Sequence, residues 1–130
     1  VAFGSSSRIC EGTVEIAREK GIRLGLLRPI TLFPYPTPVI QQMLPQLKGI
    51  MSVELNSGQM VEDVRLAVNG AVPVEFYGRM GGSIFSPEEV FKAFDFASRE
   101  QAHLFLEDLI SKQILIKEEV GPSYFVRMGL

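Results

Sequence analysis

The feature that most limits the folds open to this chain is an alternation of short apolar runs with helical patterns, which continues to about residue 95. The predicted strands cover 1–4, 22–27, 50–56 and 73–77, and a loop and a helix are predicted after each of them. Parallel strands need crossover connections and are buried on both faces, so this alternation is typical of helices packed on a parallel sheet. The pattern predicts an α/β fold, a three-layer α/β/α domain with a mostly parallel sheet.

Glycine, proline and serine positions predict where the helices begin and end. Lys20-Gly21 closes the first helix, because glycine readily adopts the left-handed cap conformation. Prolines at positions 29, 34, 36 and 38 exclude a central strand over 30–35 and predict an ordered loop that leads into a helix with Thr37 as its N-cap. Pro45 should kink or shorten that helix. A third helix is predicted over 59–68, and Ser86 should cap a fourth.

The last part of the chain follows a different pattern. Apolar residues at helical spacing from residue 98 predict a helix that ends near Lys112. Apolar runs at 114–118 and 124–128 flank the turn residues 120–123 and predict a β-hairpin. We therefore expect a domain over 1–97 and a helix-plus-hairpin extension over 98–130.

Composition excludes several classes of protein. The 130 residues suffice for one hydrophobic core, and no window approaches the ~20 apolar residues of a membrane-spanning helix. A net charge of −2 does not favour nucleic acid as a partner. One cysteine, Cys10, and one histidine, His103, cannot form a disulfide or a zinc site, which makes the cytoplasm the expected compartment. Because Val1 already lies in a predicted strand, we expect a domain cut from a longer chain.

Two glycine-containing loops have the placement of anion sites. The segment Gly4–Ser7 joins a predicted strand to a helix, but it lacks the glycine pattern of nucleotide-binding loops, so a structural cap is the favoured interpretation. The loop Gly78–Gly82 holds three glycines and Arg79 and could hold an anion or serve only a tight turn. Cys10 and His103 are expected to be a buried thiol and a surface or half-buried histidine without a catalytic role.

A polar cluster is predicted at the carboxyl end of the third strand. Glu54 and Asn56 lie two residues apart, and Gln59, Glu62 and Asp63 follow in the next helix. Open α/β sheets commonly bind ligands at the carboxyl ends of their strands. No histidine or lysine accompanies these carboxylates, so acid–base catalysis is not the favoured interpretation.

Four motifs in this order resemble the α subunits of 2-oxoacid:ferredoxin oxidoreductases of the 2-oxoglutarate or branched-chain type. They are VAFGSSSR at 1–8, GLLRPITLFPYP at 25–36, VELNSGQMVEDVR at 53–65 and VEFYGRMGG at 74–82. The resemblance covers about residues 1–95 and implies the domain of that subunit that is similar to the C-terminal domain of transketolase.

The resemblance implies oxidative decarboxylation of a 2-oxoacid to an acyl-coenzyme A, with thiamine diphosphate as cofactor and ferredoxin as electron acceptor. In the family, thiamine diphosphate and magnesium are held by a β subunit or domain, and the iron–sulfur clusters are also held elsewhere. The family's pyrimidine-side glutamate lies in a domain that would precede Val1. We therefore expect this chain to bind no cofactor or metal and to be inactive by itself.

On this interpretation, the strand ends of the domain form interdomain or subunit contacts. The expected partners are the β subunit, further subunits that include an iron–sulfur protein, and ferredoxin, while a homodimer of the exposed domain is a further expectation. The candidate contacts are Glu54, Asn56, Gly58, Gln59, Tyr77, Gly78, Arg79, Gly81 and Gly82. Arg79 suits a bidentate carboxylate pair or a coenzyme A phosphate.

Two alternative functions remain open at this point. One is the related domain of a transketolase or of a 2-oxoacid dehydrogenase β chain, which would share the fold. The other is a free-standing module that binds an anion or a nucleotide and regulates another activity.

Overall fold

The computed structural model describes residues 1–94, 115–120 and 123–128. The chain divides into two compact units, Val1–Phe94 and Asp95–Leu130. The helix predicted over 98–112, and His103 with it, lies outside the described residues.

The first unit is α/β, as predicted. Its elements in chain order are α1 (Ser5–Glu19), α2 (Thr37–Met43), a 3-10 turn (Leu44–Gln46), β1 (Ile50–Glu54), α3 (Met60–Val68), β2 (Val74–Gly78) and α4 (residues 87–94). None of the helices in this described part has both the length and the apolar character needed to cross a bilayer.

The strands β1 and β2 pair in parallel, with Ile50 opposite Val74 and Glu54 opposite Gly78. The start of the chain lies along the other side of β1, where Ala2 forms a parallel bridge with Val53. The amide of Ala2 donates in turn to the carbonyl of Leu27 at 3.1 Å. Segments from all four predicted strands therefore come together, but only two of them form a regular ladder.

The first two predicted strands are wrong in extent, for local reasons. Gly4 has φ 60° and ψ −129°, which ends the extended backbone after Phe3, and α1 begins at once with Ser5. In the segment 22–27, the amide of Leu24 donates to the carbonyl of Ile22 at 3.0 Å. This tight turn uses a donor that a strand would give to its neighbour.

The proline-rich segment folds nearly as predicted. No helix or strand is formed over 30–35, and α2 follows it. Thr37 lies inside α2 and Pro36 occupies the N-cap, one residue earlier than expected. The helix ends at Met43 and the chain continues in the 3-10 turn that contains Pro45, so the predicted shortening is confirmed.

The core lies between β1 and the helices. All five residues of β1 are buried, which indicates that both faces of this strand are covered. On one face Ile50 packs in a cluster with residues of α2 and α3. The helix α1 also packs against β1. The buried residues of the cluster are Ile40, Ile50, Met60, Val64, Ala67 and Val68.

The second unit contains an antiparallel hairpin of β3 (Leu115–Val120) and β4 (Ser123–Met128). Leu115 pairs with Met128 and Val120 pairs with Ser123. The predicted hairpin is confirmed.

Candidate functional site

A groove of about 400 Å³ lies at the carboxyl end of β1. The start of α1, the end of β1 and the start of α3 meet there. The lining residues are Phe3, Gly4, Ser5, Ser6, Leu32, Val53, Glu54, Leu55, Asn56, Gln59 and Met60. Three of the predicted contact residues, Glu54, Asn56 and Gln59, are therefore brought together on one surface.

The buried carboxylate of Glu54 caps α3 from the neighbouring strand. Its Oε1 accepts hydrogen bonds from the amides of Gln59 at 3.2 Å and Met60 at 2.7 Å. Its Oε2 accepts from the amide of Val61 at 3.0 Å and from the hydroxyl of Ser52 at 3.1 Å. Both oxygens therefore satisfy donors that a helix start would otherwise leave unpaired. This internal role leaves Glu54 poorly placed to act as a base or to coordinate a metal.

Asn56 and Gly58 shape the turn between β1 and α3. The Oδ1 atom of Asn56 accepts a hydrogen bond from the amide of Gly58 at 2.7 Å. Gly58 has φ 104°, and a Cβ atom at this position would lie 3.3 Å from Cγ1 of Val61. The turn therefore requires glycine and holds Gln59 at the rim of the groove.

The end of β2 lies close to this turn. A Cβ atom on Gly78 would lie 2.5 Å from the carbonyl oxygen of Asn56, so the two backbones approach too closely for a larger residue. The amide of Arg79 donates to the carbonyl of Glu54 at 3.2 Å. Tyr77 packs its ring on that of Phe85, with 5.5 Å between the ring centroids.

The side chain of Arg79 is directed to α4 instead of the groove. Its Nη2 lies 2.8 Å from Oε1 of Glu89, and its Nη1 donates to the carbonyl of Ile84 at 3.1 Å. Glu89 also accepts from the amide of Ser86 at 2.7 Å, while the hydroxyl of Ser86 accepts from the amide of Glu89 at 3.3 Å. This reciprocal pair is a capping box, and it confirms the predicted start of α4.

The ion pair shifts the pKa of both partners in the expected directions. The hydrogen bond to Glu89 raises the pKa of Arg79, and the same bond lowers the pKa of the Glu89 carboxyl. The bidentate carboxylate pair foreseen for Arg79 is thus formed within the chain. Gly81 and Gly82 follow with φ of 88° and 77°, which accounts for glycine at both positions.

Sequence reasoning missed the apolar surface formed by the loop 30–35. Phe33 is 94% exposed and Ile30 is 79% exposed, while Leu32 and Phe3 are partly exposed beside the groove. The sequence contained an indication of this surface. The residues of the loop are mostly apolar, and its prolines prevent it from joining the sheet. We call Phe3, Ile30, Leu32 and Phe33 the apolar rim.

The remaining candidates are Cys10 and the segment Gly4–Ser7. Cys10 is buried in α1, and burial raises the pKa of its thiol, which disfavours the reactive thiolate. Gly4 caps α1 without a side-chain hydrogen bond, and the hydroxyl of Ser7 donates to the carbonyl of Gly4 at 2.6 Å. Among the described residues, no three histidine, cysteine or acidic side chains come together as a possible metal site.

Residues 1–90 match the family model described as pyruvate:ferredoxin oxidoreductase core domain II. Ketoisovalerate oxidoreductase subunit VorB of Methanothermobacter thermautotrophicus is 47% identical over 92 residues, which is 71% of this chain and 26% of that protein. The 2-oxoglutarate synthase subunits KorA are similar over nearly the same span. The KorA of Methanothermobacter thermautotrophicus is 33% identical over 90 residues, 69% of this chain and 24% of that protein. The KorA of Methanocaldococcus jannaschii is 32% identical over 93 residues, 72% of this chain and 25% of that protein.

The chain thus spans about a quarter of the length of the curated relatives that it matches. The family model covers the complete β-loop-α part of the first unit up to the middle of α4. It also contains all four motifs on which the resemblance to 2-oxoacid:ferredoxin oxidoreductases rests, and that resemblance is confirmed. The chain belongs to the pyruvate:ferredoxin oxidoreductase core domain II family.

Proposed function

We propose that this chain is an assembly domain of a 2-oxoacid:ferredoxin oxidoreductase, and that it takes part in the reaction only within the complex. The reaction would be the oxidative decarboxylation of a 2-oxoacid to an acyl-coenzyme A in the cytoplasm. Family membership and the names of the relatives support the class of enzyme. The observation that carries the assembly role is the apolar rim, in which Phe33 is 94% exposed and Ile30 is 79% exposed.

Large exposed apolar side chains that cluster on one surface are typical of a surface covered by another protein or domain. Ile30, Leu32 and Phe33 are exposed and come from one short loop, and Leu32 of that loop lines the groove together with Phe3. The polar residues beside them do not offer an alternative catalytic site, because the oxygens of Glu54 already accept hydrogen bonds from α3 and Ser52. Contact, and not catalysis, is therefore the proposed role.

The described residues offer no site of the kind that an iron–sulfur cluster or a magnesium ion needs. One cysteine and one histidine are too few to hold an iron–sulfur cluster, and Cys10 is buried. Magnesium prefers carboxylate oxygens, but the buried Glu54 is occupied by four hydrogen bonds. We propose that thiamine diphosphate, magnesium and the clusters are bound by partner domains or subunits, including a β subunit and an iron–sulfur protein.

The test uses the intact gene product with an affinity tag in its source organism. After anaerobic purification, 2-oxoacids are assayed one by one for coenzyme-A-dependent reduction of a dye or of ferredoxin. We expect a thiamine-diphosphate-binding subunit to co-purify and at least one 2-oxoacid to support reduction. Purification without such a subunit and without activity would contradict the proposal and favour the free-standing regulatory module.

A further inference from the structure

A second cavity, of about 800 Å³, lies at the opposite end of α1 from the groove. It is formed by the last turn of α1, by the segment that follows this helix and by the end of the 3-10 turn before β1. The helix α1 has 15 residues, so about 22 Å separates its two ends. This cavity is therefore a surface separate from the groove, and we call it the basic cavity because of the charges that line it.

Two arginines, Arg18 and Arg23, line the basic cavity, and no acidic residue in the described part of the chain does so. Both arginines are exposed, and neither forms an ion pair with a described residue, although Glu15 and Glu19 lie close to Arg18 in α1. A cation in the last turn of a helix is favourable, which accounts in part for Arg18. Arg23 lies outside the helix and has no such internal role.

The backbone that follows α1 adds further hydrogen-bond donors to the basic cavity. Over the described residues, nothing accepts from the amides of Arg23 and Gly25, whereas the amide of Leu24 donates to the carbonyl of Ile22 at 3.0 Å. Gly25 is exposed, and a Cβ atom at this position would meet no atom within 4 Å, so its backbone is accessible. The basic cavity therefore combines guanidinium and amide donors, and carboxylates are their natural acceptors.

The rest of the lining indicates a protein segment and not a small molecule. The half-buried side chains of Ile22, Leu24 and Leu47 give the basic cavity an apolar part. A site for a small molecule usually encloses most of its ligand, but both arginines here are exposed. A protein segment can present acidic and apolar side chains together over such an open surface.

We propose that the basic cavity docks an acidic segment of a partner subunit. The carboxylates of this segment pair with Arg18 and Arg23, and its apolar side chains pack on Ile22 and Leu24. The argument is charge complementarity, because neither guanidinium group has an ion-pair partner among the described residues. The inference rests on the proposed assembly role, and it adds a second contact surface and the chemistry of the partner that covers it.

The first test compares the dissociation constants of the intact protein and its purified partner subunits at low and high ionic strength. The double variant Arg18→Gln, Arg23→Gln should bind about tenfold more weakly at low ionic strength, because two charged contacts are lost. Added salt should weaken binding of the parent protein much more than binding of the double variant. Arg8→Gln is the matched control, since it removes an exposed arginine from the same helix outside the basic cavity, and it should leave association unchanged.

The second test identifies the carboxylate of the partner. Arg23→Lys keeps the positive charge and supplies an amine, which a carbodiimide couples to a carboxylate in direct contact. In the assembled complex, we expect mass spectrometry to find position 23 linked to an aspartate or a glutamate of a partner subunit. Arg23→Gln has no amine at this position and should give no such link.

Three results would overturn the inference. They are an unchanged dissociation constant of the double variant, an equal loss of binding in Arg8→Gln, and a cross-linking test in which position 23 is linked to no partner subunit or only to a carboxylate of this chain, in the same or another copy. Subunits that associate independently of the two arginines would leave the assembly role intact. If no subunit co-purifies, the assembly role fails, and this inference fails with it.

Discussion

Glu54 shows how a residue that resembles a catalytic acid is used for stability. It lies at the carboxyl end of a parallel strand, where ligands are commonly bound. In the structure, its carboxylate instead accepts hydrogen bonds from the amides of Gln59, Met60 and Val61. The spacing between Glu54 and Asn56 was visible in the sequence. The hydrogen-bond partners of Glu54, however, depend on how the start of α3 is placed beside the end of β1. A carboxylate five to seven residues before the amides that it caps has no simple sequence signature.

The substitution Glu54→Gln should destabilise the domain by about 3 kcal/mol, because a side-chain amide replaces one acceptor oxygen and its N–H groups face backbone N–H groups. The measurement is the free energy of unfolding from chemical denaturation at neutral pH. Glu62→Gln is the matched control in the same helix, since Glu62 forms an exposed ion pair with Arg65. That control should cost less than about 0.5 kcal/mol. Equal effects of the two substitutions would contradict the capping role of Glu54.

Tyr35 carries the one buried side-chain polar atom in the described residues that lacks a hydrogen-bond partner. Tyr35→Phe removes this hydroxyl and should stabilise the domain by about 1 kcal/mol, since an unpaired buried hydroxyl costs about that much. Tyr77→Phe is the contrasting variant and should not stabilise the domain, because the hydroxyl of Tyr77 has Arg79 as a hydrogen-bond partner. Destabilisation by Tyr35→Phe would show that the hydroxyl has a partner.

The same tyrosine predicts a dependence of stability on pH. Burial, with Asp63 and Glu54 as smaller causes, raises the pKa of Tyr35 from 10.0 to about 12. Between these values the unfolded chain loses the proton before the folded one does, so this contribution to stability falls as the pH rises. The fall from pH 10 to pH 12 should be smaller for Tyr35→Phe than for the parent chain. Parallel curves for the two proteins would contradict a raised pKa.

At the scale of elements, the helices were more predictable than the strands. Helix α4 begins where Ser86 and Pro87 place it, because capping signals act within a few neighbouring residues. The strand expected over 22–27 did not form, since its regular pairing depends on a neighbour far away in the chain. Among the described residues, the amide of Ala2 alone donates to the carbonyl of Leu27. Local turn formation at Ile22 and Leu24 was decisive there, and apolar composition alone could not reveal it.

The close approach of the ends of β1 and β2 predicts that Gly78 cannot be replaced by a larger residue without a loss of stability. Gly78→Ala would bring a Cβ atom to 2.5 Å from the carbonyl oxygen of Asn56, so the two strand ends would have to separate. We expect a loss of about 2 kcal/mol in the free energy of unfolding, as is usual for overpacking. Gly25→Ala is the control, because a Cβ atom there meets no atom within 4 Å and the backbone has no positive φ. Stability similar to the control would show that the strand ends can separate at little cost.

At the scale of the whole molecule, the family could be predicted from the sequence, but its exposed surface could not. The order of the motifs in the sequence indicated the family, and residues 1–90 match the model of that family. The predicted contact surface was centred on polar residues such as Glu54 and Arg79, which the structure pairs within the chain. Whether the apolar residues of the loop 30–35 are buried or exposed depends on how the loop packs against the rest of the fold. Only the structure gives that information.

The assembly role therefore predicts an asymmetry between two equally exposed aliphatic residues. Ile30 on the apolar rim is 79% exposed, and Leu66 on α3 is 77% exposed. Each substitution by Gln should change the stability of the domain by less than about 0.5 kcal/mol, since neither side chain is buried. In the intact protein, Ile30→Gln should weaken association with the partner subunits about tenfold or more, because a buried contact is lost. Leu66→Gln should leave association unchanged.

Association is measured by titrating the purified partner subunits with the variant proteins and comparing the dissociation constants. If both substitutions raised the dissociation constant equally, the apolar rim would have no special role in the association. An unchanged constant for Ile30→Gln would place the interface outside the loop 30–35. In that case the exposed Met80 and Ile84 of the loop after β2 would become the next surface to test, because they also leave large apolar side chains uncovered.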